Sequence, residues 1–304
     1  MDYDAIIVGA GFAGLYMLHR LRQQGLRARV FERGDGVGGT WYWNRYPGAR
    51  CDVESMEYSY QFDPELQQEW DWTERYAAQP EILAYANHVA DRYHLRGDIQ
   101  FHTSVAGAAF NEKSASWQVT TRSAHDESTG RAEQHHARFL IMATGCLSSS
   151  NRPDIAGQSS FAGQTYHTGE WPHDGVDFSG KDVAVIGTGS SAIQAIPEIA
   201  KQAELLFVLQ RTPNYSIPAH NKPLSRETQA QIKADYAGLR SRAAQSPFGI
   251  AYDMNIDSAL QAGSEERAQR YEEHWQKGGL GFLGAFGDLL FSGDANDTAA
   301  EFVR

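Results

Sequence analysis

Cysteine is scarce in this chain: Cys51 and Cys146 are the only two in 304 residues, they stand far apart, and neither belongs to a C-x-x-C or His-rich cluster. That spacing argues against a zinc site and a disulfide scaffold, and it fits a reducing, cytoplasmic setting. Long apolar runs are missing too. No stretch reaches the roughly 18 residues of a membrane-spanning helix. Met1-Asp2-Tyr3-Asp4 opens on acids and runs straight into a strand, so no signal peptide is expected. Positive charge is in deficit: Lys plus Arg number 27 against 38 Asp plus Glu, a net charge of −11, which repels nucleic acid and anionic membrane surfaces. The remaining composition, 41% hydrophobic and 21% charged, is ordinary for a globular protein. A chain of this length can hold two domains and part of a third, each burying its own core.

Two segments of the chain carry the same mechanical pattern. Tyr3 to Val8 is a short apolar run that ends at Gly9-Ala10-Gly11-Phe12-Ala13-Gly14. Leu15 to Gln24 continues with leucines at helical spacing until Gly25, and Ala28 to Glu32 is a second apolar run closing on an acid. Each part has a task around a dinucleotide. The glycines allow a tight turn and close approach of backbone to a pyrophosphate, the helix N-terminus presents free N–H groups, and Glu32 can accept from ribose hydroxyls.

The second copy starts at Lys181 to Ile186 and turns through Gly187-Thr188-Gly189-Ser190-Ser191-Ala192. A helix to Ala203 follows, then a strand Leu205 to Gln210 that ends in Arg211-Thr212. Alanine at the third glycine position is a change the pattern permits. The charge at the strand ends differs more tellingly. A carboxylate repels a 2′-phosphate, whereas the Arg211 guanidinium can bind it in a forked geometry. Charged hydrogen bonds contribute roughly 1.5 to 3 kcal/mol, so a preference for NADPH over NADH of about ten- to a hundredfold is expected.

Between these segments, Gly38-Gly39 leads into Thr40-Trp41-Tyr42-Trp43, and Arg50-Cys51-Asp52 follows. Flat aromatic groups and a buried acid are what a ring as large as isoalloxazine needs for walls and for bonds to its polar edge. Tyr60 to Trp72 reads as a polar, aromatic-rich loop, and Gln79 to Tyr93 as an amphipathic helix with Pro80 in its first turn. Ile99 to Phe110, Trp117 to Arg122 and Ala137 to Ala143 read as strands. The charged stretch 123–136 is their solvent turn, with His135 and His136 exposed in it. From Leu224 onward helix formers dominate. Ser225 is expected to cap a helix to about Ala244, Ser264 another to Lys277 and Asp297 a last one, with 246–263 irregular.

Phe161 to Pro172 lies between the two glycine turns with the spacing F-x-G-x-x-x-H-x-x-x-W-P, set by Phe161, Gly163, His167, Trp171 and Pro172. It resembles the hallmark of the Baeyer–Villiger monooxygenases. The stretch GGTWYWNRYPGARCDVES resembles the same segment in the phenylacetone and steroid monooxygenase branch of that family. The resemblance implies an α/β architecture of two Rossmann-like, three-layer dinucleotide-binding domains with a helical insertion. Residues 1–146 would be the FAD-binding domain, 147–220 the NADP-binding domain with the connector, and 221–304 an incomplete helical insertion. It further implies that Gly9, Gly11, Phe12, Ala13, Gly14, Glu32, Gly39, Thr40 to Trp43, Asp52, Tyr58 and Val105 serve FAD, with Val105 over the adenine. Arg50, Cys51 and Asp52 would face the nicotinamide, and Gly187 to Ala192, Arg211 and Thr212 would hold NADPH. Asp52 and His167 carry the catalytic roles, Asp52 by pairing with an arginine that the family carries beyond this chain, and His167 with Trp171 by coupling the domains.

The activity so implied is oxygen insertion from O2 into a small-molecule ketone, giving an ester or lactone, without a metal. An N- or S-hydroxylating flavin monooxygenase shares both nucleotide segments, although Trp171-Pro172 and Trp41-Tyr42-Trp43 lean against it. A disulfide reductase is disfavoured because no C-x-x-C follows the first glycine turn. A non-catalytic nucleotide-binding fragment is the third reading, because the chain stops inside an apparent helix.

Overall fold

The computed structural model describes residues 1–125 and 131–304. In chain order its elements are β1 (Tyr3–Val8), α1 (Phe12–Gln23), β2 (Ala28–Phe31), α2 (Thr40–Trp43), α3 (Pro64–Glu69), α4 (Gln79–Arg92), β3 (Ile99–Gln100), β4 (Thr103–Asn111), β5 (Ser116–Ser123) and β6 (Glu133–Met142). Then come β7 (Asp182–Ile186), α5 (Ser190–Ala200), β8 (Leu205–Leu209), α6 (Arg226–Ala234), α7 (Tyr236–Gln245), α8 (Ser264–Lys277) and α9 (Gly293–Val303). The chain divides into two compact units, one of Met1–Tyr46 with Gln79–Val176 and the other of Pro47–Ala78 with Asp177–Arg304.

The first unit is built on a sheet in the order β3-β2-β1-β6-β5-β4. β1 runs parallel to β2 and β6, and β2 parallel to β3, while β5 pairs antiparallel with β6 and β4. Central parallel strands are covered on both faces, and β1 obeys this. On one side Ala5 and Ile7 pack with Leu15 and Leu18 of α1 and Ala86 and Ala90 of α4. On the other Ile6 joins Phe31, Val119 and Ala137. The expected α/β class with a parallel-rich sheet is therefore what forms. The middle of the expected solvent turn, residues 126–130, lies outside the described residues.

Several local expectations are corrected. The single strand expected over Ile99 to Phe110 is two, because His102 turns the chain with φ 52°. β3 then extends the parallel part and β4 the antiparallel part. β6 starts at Glu133, so His135 lies in a strand and not in a turn; it is half-buried with Nε2 3.1 Å from Thr121 Oγ1.

The second unit contains the parallel pair β7–β8, with Asp182 opposite Leu205 and Ile186 opposite Leu209, and α5 between them in sequence. A helical block follows, whose core gathers Tyr271, Phe282, Phe286 and Leu289. The 47–78 stretch is tied to it. Trp72, 1% exposed, donates its backbone N–H to Gln229 Oε1 at 3.0 Å, and the Arg240 guanidinium donates to the carbonyls of Met56, Glu57 and Ser59.

The expected loop over Tyr60 to Trp72 therefore holds a helix. Asp63 caps α3 by accepting the N–H groups of Glu65 and Leu66, with Pro64 in its first turn, and Asp-Pro-Glu is a legible start signal. The helix expected over Ser225 to Ala244 is broken at Asp235, whose carboxylate accepts the Gly238 N–H and starts α7. Ser225 does cap α6, accepting the Thr228 N–H at 3.1 Å. Ser264 and Asp297 do not act as caps: Gly263 precedes α8, and Ser292 caps α9 with Asp297 inside it. Among the described residues no helix is long and apolar enough to cross a membrane.

Candidate functional site

The first glycine turn has no room for a side chain at Gly9 or Gly14. Gly9 has φ +100°, and a Cβ on it would meet the Ala143 carbonyl oxygen at 2.8 Å. One on Gly14 would stand 1.9 Å from the Gly9 carbonyl oxygen, and one on Gly39 would stand 2.7 Å from Gly11 Cα. Glu32, 5% exposed, lies across this turn: its carboxylate accepts the Ala10 N–H at 2.7 Å and the Gly34 N–H at 2.8 Å. Two oxygens carry about four acceptor sites, so two remain for vicinal hydroxyls. Helix α1 starts at Gly11 with no side-chain cap, whereas α3, α6, α7 and α9 are each capped by a side chain. First-turn N–H groups without a side-chain acceptor, backbone close enough for a diphosphate and a buried acid with spare lone pairs fit the adenosine diphosphate part of a flavin nucleotide. Phe12 packs toward Tyr85, with ring centroids 6.1 Å apart, and Ala13 is exposed.

The aromatic segment forms α2. Trp41 and Tyr42 are buried, and Thr40 and Trp43 half-buried. The Tyr42 hydroxyl donates to Asp35 Oδ1 at 2.5 Å, and Gln79 Nε2 donates to the Trp41 carbonyl. Burial, then the Asp35 bond, pushes the Tyr42 phenol above its ordinary range, while the same bond holds Asp35 low. Arg45 covers the Tyr42 ring at 5.0 Å and Arg33 the Trp43 ring at 4.6 Å. His173 meets Tyr42 edge-on at 5.1 Å, and burial followed by Arg45 keeps that imidazole below its ordinary range. His173 was not anticipated; its position directly after Trp171-Pro172 was the available signal. Val105 sits on β4 at a register irregularity, against the cluster of Ile6, Phe31, Val119 and Ala137.

Within the connector, Phe161 is 65% exposed and Trp171 is buried, with Tyr166 at 5.7 Å from the latter ring. Gly163 lies under the Phe161 ring, and Pro172 is half-buried. His167 Nδ1 accepts the Gly169 N–H at 3.1 Å. An accepting nitrogen bears no proton, so the ring carries its proton on Nε2. Ser150 and Arg152 both bind Glu170, steadying the turn after His167.

The second glycine turn is open where the first is tight. Gly187 has φ +104°, yet a Cβ on it or on Gly189 would meet nothing within 4 Å. Helix α5 also starts without a side-chain cap. Thr188 Oγ1 accepts from Gln210 Nε2 at 2.9 Å and Asn214 Nδ2 at 3.3 Å, which joins the turn to the end of β8. Ser190, Arg211 and Thr212 are exposed, and Ser191 and Ala192 half-buried.

The same unit holds Arg50 to Asp52 and a half-buried Tyr58, so the residues expected around FAD divide between the units. Arg50 pairs with Glu74 at 3.1 Å. Asp52 is exposed, which corrects the expectation of a buried acid. Crowding by neighbouring atoms still raises its carboxyl above the ordinary range, and a hydrogen bond from Gln194 opposes that rise. Gln194 was missed by sequence reasoning. Cys51 is buried and its thiol is pushed up to about 12 by desolvation, so it is no ready nucleophile.

Residues 6–244 match the family model described as pyridine nucleotide-disulphide oxidoreductase. The chain belongs to that family. Within this oxidoreductase family its relatives are monooxygenases. A Baeyer–Villiger monooxygenase of Pseudooceanicola batsensis is 43% identical over 307 residues, covering 100% of this chain and 54% of the relative. The phenazine N-monooxygenase PhzNO1 of Lysobacter antibioticus is 42% identical, covering 99% of this chain and 55% of the relative. A solved structure of oxidized steroid monooxygenase bound to NADP is 55% identical with a TM-score of 0.91, covering 99% of this chain and 56% of that one. These relatives bear out the resemblance to the Baeyer–Villiger monooxygenases and the expected fold. The chain spans about half the length of the curated relatives it matches.

Proposed function

We propose that this chain is the nucleotide-binding part of an FAD- and NADPH-dependent monooxygenase that inserts one oxygen atom of O2 into a small-molecule ketone. Ketone, O2, NADPH and a proton then give ester or lactone, NADP+ and water. The observation that carries the reading is the pair of glycine turns with opposite strand ends, Glu32 held across the first and Arg211 exposed beyond the second. Bound FAD would supply two-electron acceptance and activation of O2.

The chain's own residues bind and orient. Gly9 to Gly14 admit the diphosphate, Glu32 takes the ribose hydroxyls, and the cation-covered Trp41 to Trp43 segment gives a stiff wall. Gly187 to Ala192 would take the diphosphate of NADPH, and Arg211 with Thr212 its 2′-phosphate. Asp52 and His167 keep their catalytic assignment as proposals, His167 through Nε2, the ring nitrogen that its bond to Gly169 does not use. Residues 1–146, 147–220 and 221–304 are proposed as the FAD-binding, NADP-binding and helical-insertion regions, and the cytoplasm as the compartment.

The test is spectroscopic and analytical. The full-length enzyme of which this chain is proposed to be part should be yellow, lose that colour with NADPH, and with a ketone and O2 yield ester in step with NADPH consumed. A hydroxylated nitrogen or sulfur product would favour the heteroatom reading, which the kinship with a phenazine N-monooxygenase supports. Colourless protein that takes up neither nucleotide would sink both.

A further inference from the structure

The Gln194 side chain spends three of its four hydrogen-bonding positions on one remote stretch of chain. Nε2 donates to the Arg50 carbonyl and to Asp52 Oδ1, each at 3.1 Å, and Oε1 accepts the Arg50 N–H at 3.2 Å. Gly48 closes the same contact, since a Cβ there would stand 2.2 Å from the Gln194 carbonyl oxygen and 3.1 Å from Glu198 Cγ. Residues 48–52 therefore rest on the backbone of α5. A phosphate-binding helix needs its N–H groups; nothing in that role calls for an amide one turn further on.

We propose that Gln194 is a positioning residue that fastens the Arg50–Asp52 stretch to the helix of the second glycine turn, so that nucleotide binding at that turn and the charge on Asp52 are coupled. The inference rests on the reading of that turn as the NADP site. Gln194 lies four residues from Ser190, about 6 Å along the axis at 1.5 Å per residue, so any adjustment of α5 moves the Asp52 carboxylate with it. Among the described residues the groups around Asp52 are these. Cys51 and Tyr76 both feel its charge, Arg50 is engaged by Glu74, and Glu198 lies on α5 beside Gly48. None supplies an uncommitted cation. A bound diphosphate adds like charge and should favour protonated Asp52. By reciprocity NADP+ should bind roughly threefold more tightly once Asp52 is protonated, so affinity rises as pH falls through its titration.

The experiment follows the Asp52 carboxyl carbon by NMR in the 304-residue chain, from about pH 3 to about pH 7, with and without saturating NADP+. NADP+ dissociation constants are measured by calorimetry on the same samples. NADP+ should move the Asp52 midpoint upward in the parent and far less in Gln194→Leu. Asp52→Asn should abolish the matching pH dependence of affinity, and adding Gln194→Leu to it should change nothing further. Should Gln194→Leu fail to fold, Gln194→Glu keeps the size and adds a like charge, so the Asp52 midpoint should rise without nucleotide. A parent that binds NADP+ with its Asp52 midpoint unmoved overturns the coupling, as does full coupling in Gln194→Leu. A parent that binds no NADP+ overturns the reading of the turn, and the coupling with it.

Discussion

Gly14→Ala is the sharpest perturbation of the first unit, because one methyl group meets main chain and not a side chain that could swing aside. The added Cβ would lie 1.9 Å from the Gly9 carbonyl oxygen and 3.7 Å from Ala143 Cβ. Real Cβ contacts stay beyond about 3.0 Å, so the start of α1 and the glycine turn must separate by about 1.1 Å, the difference between 3.0 and 1.9. Inserting a methylene into packed structure costs about 1–3 kcal/mol, and a clash between two backbones belongs at the upper end. The same separation draws the α1 N–H groups away from a diphosphate, where each charge-assisted bond is worth roughly 1.5–3 kcal/mol. About 3 kcal/mol of lost stability and at least a tenfold weaker FAD affinity are therefore expected. The control is Gly97→Ala in the same unit, where a Cβ would meet nothing within 4 Å; its effect should stay within about 0.5 kcal/mol. Urea unfolding without flavin and quenching of FAD fluorescence on binding measure the two quantities. If Gly14→Ala matched Gly97→Ala in both, the close approach of helix and turn would not matter and the reasoning would be refuted.

Arg211→Ala should erase the preference for the phosphorylated nucleotide, bringing NADP+ affinity down about ten- to a hundredfold toward that of NAD+, by calorimetry with both; an unchanged ratio would put the 2′-phosphate elsewhere. Thiol alkylation of the native protein near neutral pH should modify exposed Cys146 and spare Cys51, whose thiol burial pushes up to about 12. Mass spectrometry showing two adducts before denaturation would contradict the burial of Cys51. Ser225→Ala should cost about 1 kcal/mol by removing the cap on Thr228, while Ser264→Ala should cost little because Ser264 makes no capping bond; equal losses in urea unfolding would refute the distinction.

Both glycine turns, α4 and the β7–α5–β8 order were legible because each depends on neighbours within a few positions: apolar spacing, a glycine, a proline in a first turn. The same locality explains the errors. Asp235 ends one helix and begins the next through a bond to Gly238, and helix-forming composition alone runs straight through it. His135 was misplaced because its strand pairing with Val119 and its side-chain hydrogen bond to Thr121, and not its own polarity, decide its environment. Of the candidate site, Glu32 was legible as a strand-end acid, whereas Gln194 was not. Its partners Arg50 and Asp52 lie 144 and 142 positions away, and no spacing rule links them.

The sequence by itself determined two glycine turns of dinucleotide-binding pattern, the carboxylate and guanidinium at their strand ends, and kinship with flavin-dependent oxygenases, since these depend on residue type at short range. Tertiary structure alone decided that a Cβ on Gly14 would meet the Gly9 carbonyl oxygen at 1.9 Å, that Asp52 is exposed, and that residues 47–78 pack with the later part of the chain. The reason is that clearance, burial and long-range hydrogen bonds belong to the packed chain, where a difference of about 1 Å decides whether a methyl group fits.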